Sequence, residues 1–335
     1  FIGPGTWWDP KDPLDNAPLD QKMLRLDYQE LLRSFPVVVL TAYDSASFSA
    51  PYRGSHQASD RLSEKTNATI SRTPFRNVVP NFLRFADALP TGDASARLSD
   101  DYLTAVREEF RRFAFELSRT PGKKIISNWE FENDCPDVRT WDICRTYYQA
   151  RIDGIVAGRE QARRLGYPAE VYTMFEFTIV PGFAGRLSGL VEVGGKLRGV
   201  DFWSYSSWWS FNNPFTSAEG VKGSYVGAVR LIDEFAVSRG LSRQIMIGEV
   251  GELWDLFPQG DRLKAAIQGA LEAGAVYVFN WVLYEQPGQR DEFGRDASHY
   301  GKFFLNRTLT PQGEMFRRFL WEPYRIPREV GVAPQ

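Results

Sequence analysis

The feature that most constrains this chain is an alternation of short apolar segments with longer amphipathic ones, which begins near Ser99. In the longer segments apolar residues recur at helical spacing, for example at Leu103, Val106 and Phe110. Strands separated by helices of this length pair in parallel, because each helix crosses back over the sheet. The sequence therefore predicts an α/β fold built on a parallel sheet.

Six strands are predicted with their connecting helices. The strands are Val37–Thr41, Lys124–Glu130, Val171–Phe177, Gly199–Tyr205, Gln244–Glu249 and Val276–Val282. The helical segments are Ser99–Ser118, Val138–Leu165, Leu187–Leu197, Ser217–Ser238 and Asp261–Ala273. A weaker strand candidate spans Asn77–Leu83. We expect a (β/α)8 TIM barrel with long loops, forming a single catalytic domain over residues 1–335, with a further N-terminal strand in or before residues 1–30.

Few residues are available for metal or histidine chemistry. The chain has two histidines, His56 and His299, and two cysteines, Cys135 and Cys144, whose spacing matches no common zinc pattern. No G-x-S-x-G elbow follows a predicted strand. We therefore expect no metal and no cofactor, and a chemistry that depends on carboxylates.

Charge and hydropathy exclude other classes of partner. Lys and Arg (40) nearly balance Asp and Glu (42), and no basic cluster stands out, which argues against a nucleic-acid partner. No apolar run reaches the roughly 18 residues of a membrane helix, so we expect no membrane partner. Cys135 and Cys144 either form a local disulfide or remain free thiols. Possible N-glycosylation triplets at Asn67 and Asn306 favour an extracellular, secreted protein.

Polar residues gather where five of the strands end, which is the edge of a parallel sheet that carries ligand chemistry. Glu130 and Glu249 each end an apolar strand and lie 119 residues apart, a distance that spans three βα units. Two facing carboxylates are the minimum for glycosidic cleavage, because one donates a proton and the other attacks or stabilises the sugar cation. The alternative is that they cap helices or pair with arginines. Glu176 and Glu252 are expected at solvated loop positions, with hydrogen bonds to the site residues or subsite contacts as the alternative.

These segments resemble the retaining glycoside hydrolases of clan A. The resemblance covers roughly residues 100–325 and is carried by Ser127-Asn128-Trp129-Glu130-Phe131-Glu132-Asn133-Asp134, Ile247-Gly248-Glu249 and Phe279-Asn280-Trp281. It implies a (β/α)8 barrel, a carbohydrate substrate, Glu130 as acid/base and Glu249 as nucleophile. It also implies that Tyr205 donates a hydrogen bond to the nucleophile and that Trp281 forms the floor of the sugar site.

One departure from the clan concerns the acid/base residue. The clan places Asn directly before that Glu, whereas here Asn128 lies two positions before Glu130, and Asn133 follows Glu132. Glu130 and Glu132 share strand parity, so either could point inward, and Glu130 is preferred because it lies nearer the strand body. Asn128 or Asn133 is expected to bind a sugar hydroxyl beside the reacting carbon.

The other predicted substrate contacts lie near the last strands. Trp203, Trp208 and Trp209, together with Trp281, are candidate stacking platforms for sugar rings, with core packing as the alternative for each. Asn280 is a candidate polar contact at the end of the last predicted strand.

Two rival functions stay open at the level of sequence. A catalytically inactive barrel could bind carbohydrate without cleaving it. A different barrel enzyme, such as an aldolase or phosphosugar isomerase, would need a strand-end lysine or a phosphate-binding glycine turn, and the predicted strands provide neither.

Overall fold

The computed structural model describes residues 37–41, 98, 100–128, 130–135, 137–211, 215–252, 259–280, 310–311 and 313–315. Within these ranges six strands form one parallel sheet whose spatial order follows the chain. They are β1 (Val37–Thr41), β2 (Lys123–Ser127), β3 (Val171–Phe177), β4 (Phe202–Ser206), β5 (Ile245–Val250) and β6 (Tyr277–Asn280). The architecture is a parallel α/β half-barrel, which confirms the predicted parallel α/β fold, while the closed eight-stranded barrel stays a prediction.

Within the described residues, four long helices accompany the strands. They are α1 (Asp100–Ser118), α2 (Trp141–Arg164), α3 (Ala218–Arg239) and α4 (Asp261–Glu272). Their ends follow ordinary capping chemistry. The hydroxyl of Ser217 accepts a hydrogen bond from the backbone N–H of Gly220 at 3.2 Å, and Gly240 ends α3 in the left-handed region at a φ of 64°.

The connection from β3 to β4 differs from the prediction. Instead of one helical stretch over Leu187–Leu197, it contains a single α-turn over Gly189–Glu192 and a 3-10 turn over Gly194–Lys196. A Cβ at Gly194 would lie 2.9 Å from the ring of Phe175, so this segment packs on the sheet by close backbone approach. The glycines that permit this approach also break the helix.

The two faces of the sheet carry different apolar layers. Each strand contributes one side chain to an inner layer, which comprises Val37, Ile125, Met174, Phe202, Met246 and Phe279. The alternate positions, such as Phe175, Trp203 and Ile247, join the larger core beneath the helices. Alternation between a filled interior and a helix-covered exterior is the side-chain arrangement of a barrel wall. Residues at the carboxyl ends of the strands therefore lie above the inner layer.

Some predictions fall outside the described residues. These are the strand candidate at Asn77–Leu83, the further N-terminal strand, and Trp281. The assignment of residues 1–335 to one domain stays a prediction. Among the helices that the structure describes, none combines the length and apolarity needed to cross a membrane.

Candidate active site

Glu130 is held by a turn rather than by strand β2. The strand ends at Ser127, and Glu130 directly precedes a helical turn over Phe131–Asp134. The backbone N–H of Asn133 already donates to the carbonyl of Glu130 at 2.9 Å. The predicted strand Lys124–Glu130 is therefore too long at its carboxyl end. Because the chain turns here, strand parity does not decide which way the acidic side chains of this segment point.

The turn that carries Glu130 is anchored from the residue that follows. The ring of Phe131 is fully buried, with ring centroids 5.3 Å from both Trp141 and Phe175. The indole N–H of Trp141 donates to the carbonyl of Cys135 at 2.7 Å. A disulfide joins Cys135 to Cys144 on α2, so the alternative of two free thiols is wrong. The loop after β2 is thus tied to the helix behind it.

This disulfide gives a first stability prediction. Replacing both Cys135 and Cys144 by Ala is expected to lower the free energy of unfolding by about 2–3 kcal/mol, because the bond closes a short loop in the unfolded chain. The sequence separation of the two residues is 9. Thermal unfolding should show a melting temperature several degrees lower than that of the unaltered protein. An unchanged melting temperature would show that the bond does not constrain this loop.

Glu249 is turned into the site by a bulge in β5. Tyr205 of β4 pairs with Ile247, but the next residue, Ser206, pairs with Glu249, so Gly248 is an extra residue on β5. In a regular strand Glu249 would share the helix-facing side with Ile247. The bulge shifts this alternation by one position and places Glu249 on the same face as Ser206.

The extra residue must be glycine because of what lies beneath it. A Cβ at position 248 would collide with the carboxylate of Glu176 and the hydroxyl of Ser204. That hydroxyl donates to Glu176 at 2.8 Å, and Glu176 is 4% exposed within β3. The expectation that Glu176 lies in a solvated loop is therefore wrong. Its carboxylate supports the bulge that aims Glu249.

The two carboxylates meet at a single hydroxyl. Ser206 is fully buried at the end of β4, and its Oγ lies within hydrogen-bonding distance of Glu130 Oε1 and 3.4 Å from Glu249 Oε2. Two such contacts through one oxygen limit the distance between the nearest carboxylate oxygens to about 6 Å. Glu130 and Glu249 are 4% and 8% exposed. The two side chains that the sequence singled out are thus brought together from β2 and β5.

Glu130 and Glu249 have different electrostatic surroundings. Burial raises the pKa of Glu130 well above 4.5, and the negative charge of Glu249 raises it further. The side-chain amide of Asn133 donates to Glu130 and opposes this shift without cancelling it, and the hydroxyl of Ser206 opposes it too when its hydrogen points to Glu130 rather than to Glu249. Glu249 Oε2 also accepts a hydrogen bond from the indole N–H of Trp208 at 2.8 Å. Glu130 is therefore suited to hold a proton beside an ionised Glu249.

Glu132 and Asn128 connect backbone segments. Glu132 accepts from the backbone N–H of Thr178 at 2.7 Å and of Gly189 at 2.8 Å. Asn128 is 1% exposed, and its amide donates to the carbonyl of Glu176 at 3.0 Å and accepts from its N–H at 2.9 Å. Both side chains hold the loop after β2 against β3. Of the two candidates for acid/base, Glu130 is the one that approaches Glu249.

Trp203 and Tyr205 lie on the helix side of β4. Trp203 is 1% exposed and belongs to the larger core beneath the helices. Its indole N–H donates to the carbonyl of Ser242 at 2.8 Å. The hydroxyl of Tyr205 pairs with that of Ser210 at 2.9 Å, and its ring stacks on Phe177. Neither side chain shares the face of β4 that carries Ser206, because adjacent strand residues point to opposite faces.

Of the remaining predicted substrate contacts, the structure describes Asn133 and the backbone of Asn280 but not Trp281. The exposed side chain of Asn133 donates to Glu130 Oε2, which puts an amide at the open side of the pair. Asn280 ends β6, where its backbone pairs with Val250. The last predicted strand, Val276–Val282, is described as far as Asn280, and Trp281 lies beyond the described residues.

Ser206 and Trp208 are the contacts that sequence reasoning did not assign to the carboxylates. Trp208 takes the position at Glu249 that the clan resemblance gave to Tyr205, and Ser206 reaches both acids. The signal was the alternation of β4, in which Ser204 and Ser206 alternate with the bulky Trp203 and Tyr205. Small polar residues at the mouth of a barrel interior and aromatic residues beneath the helices give this pattern.

Glu252 is buried as well, contrary to its expected solvated position. It is 2% exposed, accepts from the backbone N–H of Leu263 at 3.3 Å and lies 3.6 Å from Arg262 Nε, so it binds the first turn of α4. In the described ranges, no group of three or more His, Cys, Asp or Glu side chains is placed to bind a metal ion.

Comparison with known proteins gives structural neighbours only. No protein-family model and no curated protein matches the chain. Among solved structures, the chain is similar to a GH5_18 protein from Bifidobacterium longum solved with Manβ1-4GlcNAc, at 14% identity and a TM-score of 0.49, over 95% of this chain and 74% of that one. It is also similar to an exo-β-1,4-mannosidase from an Opitutaceae bacterium, at 15% identity and a TM-score of 0.47, over 97% of this chain and 57% of that one.

A third similar structure is a β-D-glucuronidase from Dictyoglomus thermophilum, at 14% identity and a TM-score of 0.44. The alignment covers 69% of this chain and 36% of the glucuronidase, so the chain spans about a third of that protein's length. These neighbours are glycoside hydrolases, but with TM-scores between 0.44 and 0.49 the likeness carries no residue assignment.

Proposed function

We propose that this protein is a glycoside hydrolase that cleaves glycosidic bonds of an oligo- or polysaccharide with retention of configuration. The observation that carries the proposal is the meeting of two buried carboxylates, Glu130 and Glu249, at the hydroxyl of Ser206. The proposal includes closure of the half-barrel into a (β/α)8 barrel, with its mouth at the carboxyl ends of the strands.

The roles of the two acids follow from their surroundings. Glu249, ionised and held by the indole of Trp208, attacks the anomeric carbon. Glu130, neutral because burial and the charge of Glu249 raise its pKa, protonates the leaving oxygen. Water then hydrolyses the glycosyl ester, with Glu130 accepting the proton of that water. Each carboxyl group returns to its starting state, so the cycle needs no other proton donor.

The limit on the spacing of the carboxylates is compatible with a retaining pair. Retaining enzymes hold the two carboxyl groups about 5–5.5 Å apart, whereas inverting enzymes leave about 6.5–9.5 Å for an intervening water. The shared contact with Ser206 limits the nearest oxygens of Glu130 and Glu249 to about 6 Å. This limit includes the separation at which Glu249 attacks the sugar directly, which is the geometry that the proposal assumes.

The test is hydrolysis of a panel of aryl glycosides and polysaccharides by the purified protein, with the anomeric form of the first product followed by NMR. We expect turnover of at least one sugar series and a product of the same anomeric configuration as the substrate. A product of inverted configuration would contradict the role of Glu249 as nucleophile. Binding of a glycan without turnover of any substrate would instead favour the inactive carbohydrate-binding barrel.

We also propose that the protein is secreted. The disulfide between Cys135 and Cys144 supports an oxidising compartment, because such bonds are rare where thiols are kept reduced. An extracellular location agrees with a polymeric carbohydrate as substrate.

A further inference from the structure

The hydroxyl of Ser206 contacts both acids but has only one hydrogen to donate. Its hydroxyl is fully buried and touches Glu130 Oε1 and Glu249 Oε2. A serine hydroxyl has a single O–H donor, so it can donate to only one carboxylate at a time. If both acids were ionised, the other carboxylate would face a lone pair of the same oxygen.

A single additional proton removes this conflict. When one carboxyl is neutral, it donates its O–H to Ser206 Oγ, and Ser206 donates its own hydrogen to the ionised partner. Both contacts are then hydrogen bonds, and the three groups form a chain with a defined direction. A buried polar network of this kind is stable only when each member is satisfied.

The neighbouring donors indicate which direction the chain takes. Glu249 Oε2 accepts from both Ser206 and the indole N–H of Trp208, and an indole can only donate. That oxygen therefore acts as an acceptor for two donors, which suits the ionised form. On Glu130 the amide of Asn133 donates to Oε2 while Ser206 contacts Oε1, so a neutral carboxyl can accept through one oxygen and donate through the other.

We propose that Ser206 is a positioning residue that acts as a directional hydrogen-bond relay from neutral Glu130 to ionised Glu249. The inference rests on the proposed function and adds a role for a residue that contacts both acids. In the glycosylation step the negative charge passes from Glu249 to Glu130. The hydroxyl hydrogen then rotates from Glu249 to Glu130, and it rotates back when the ester is hydrolysed. Ser206 transfers no proton itself, so the acids alone exchange protons with substrate and water.

The relay makes a prediction about both acids that a plain structural role does not. In Ser206→Ala, ionised Glu249 loses a donor, so its pKa should rise. Neutral Glu130 loses an acceptor, so its pKa should fall. Each shift is expected to be about one pH unit, which is the size of one hydrogen bond to a charged or partly charged group. The pH range in which Glu130 is neutral and Glu249 is ionised should therefore narrow from both sides.

The experiment titrates protein labelled with carbon-13 at the glutamate carboxyl groups by NMR, without substrate, in parallel with pH profiles of kcat/KM. Ser206→Thr restores the hydroxyl and should restore both titrations. Ser118→Ala is the matched control, because it removes a buried hydroxyl that donates to the carbonyl of Ala114 within α1 rather than to the pair. It should leave the titrations of Glu130 and Glu249 in place.

Two results would overturn the relay. A rise in the pKa of Glu130 in Ser206→Ala would mean that the hydroxyl only donates to that carboxylate, and unchanged titrations would mean that it couples neither acid. The same measurements distinguish a failure of the relay from a failure of the proposed function. If the unaltered protein hydrolyses glycosides, and Glu130 and Glu249 titrate in Ser206→Ala as they do in the unaltered protein, the relay alone is rejected. A protein that hydrolyses no glycoside, but whose titrations move as expected, rejects the proposed function alone.

Discussion

Replacing Glu249 by Gln is expected to lower kcat by about 10⁴- to 10⁶-fold, which is the scale of removing an enzyme nucleophile. The amide keeps the shape of the side chain and can still pair with Trp208 or Ser206 through its oxygen, but it cannot form the glycosyl ester. Binding of substrate or product should therefore survive. The measurement is steady-state hydrolysis of the best substrate from the panel, together with calorimetric binding of its product.

The matched control for this variant is Glu234→Gln, at an exposed position on α3. It makes the same chemical change and should retain the full kcat. A Glu249→Gln protein that is folded and keeps more than a few per cent of the original kcat would show that another group attacks the sugar. If both variants bind glycan equally well and the unaltered protein never turns over any substrate, the protein is a carbohydrate-binding barrel without hydrolase activity.

Replacing Glu130 by Gln is expected to lower kcat/KM by about 10²- to 10⁴-fold on substrates with poorly acidic leaving groups. The loss should shrink for dinitrophenyl glycosides, because a good leaving group departs without a proton. Hydrolysis of the glycosyl ester would then become the slow step, since water has lost its base. Added azide, which needs no deprotonation, should raise the rate of this variant and give a glycosyl azide of retained configuration.

The same substitution should stabilise the fold, and the sign follows from the raised pKa of Glu130. Below the ordinary value of 4.5 the carboxyl is neutral in both the folded and unfolded states, so it carries no ionisation penalty. As the pH rises towards the higher pKa of the folded state, the unfolded protein ionises more readily and stability falls. Gln does not ionise, so Glu130→Gln should unfold at a higher temperature than the unaltered protein at neutral pH.

These two readouts separate catalysis from folding. An inactive Glu130→Gln protein that melts at or above the temperature of the unaltered protein would confirm a catalytic loss. A loss of activity that is equal for good and poor leaving groups would contradict the acid role. Equal melting temperatures across the pH range would contradict the shifted ionisation of Glu130.

The sequence allowed the framework and the acidic pair to be predicted, because both depend on local patterns. Val171–Phe177 is predicted and observed with the same bounds, and Glu130 and Glu249 were chosen because polar residues follow apolar strands. What the periodicity could not show is the geometry after each strand ends. Parity put Glu130 and Glu132 on one face, whereas the helical turn after Ser127 sends Glu132 to the backbone of the next loop.

The contacts of Glu249 were hidden for a related reason. Its orientation depends on the extra residue Gly248, and a bulge follows from the pairing of two strands rather than from one strand's pattern. The alternation of serine with bulky aromatic residues in β4 could have predicted which of its residues face the site. Tyr205 was preferred as the partner of Glu249 because the clan resemblance indicated a tyrosine at that strand end, while the structure gives that contact to Trp208 and Ser206.

The most direct test of the account is to trap the covalent intermediate. The protein is incubated with activated 2-deoxy-2-fluoro glycosides of the sugar series that it hydrolyses, and the labelled peptide is located by mass spectrometry. We expect one glycosyl unit attached through an ester to Glu249, on a protein whose turnover has stopped. An adduct on another carboxylate, or continued turnover with an inverted product and no adduct, would contradict the pairing of Glu249 and Glu130 as nucleophile and acid.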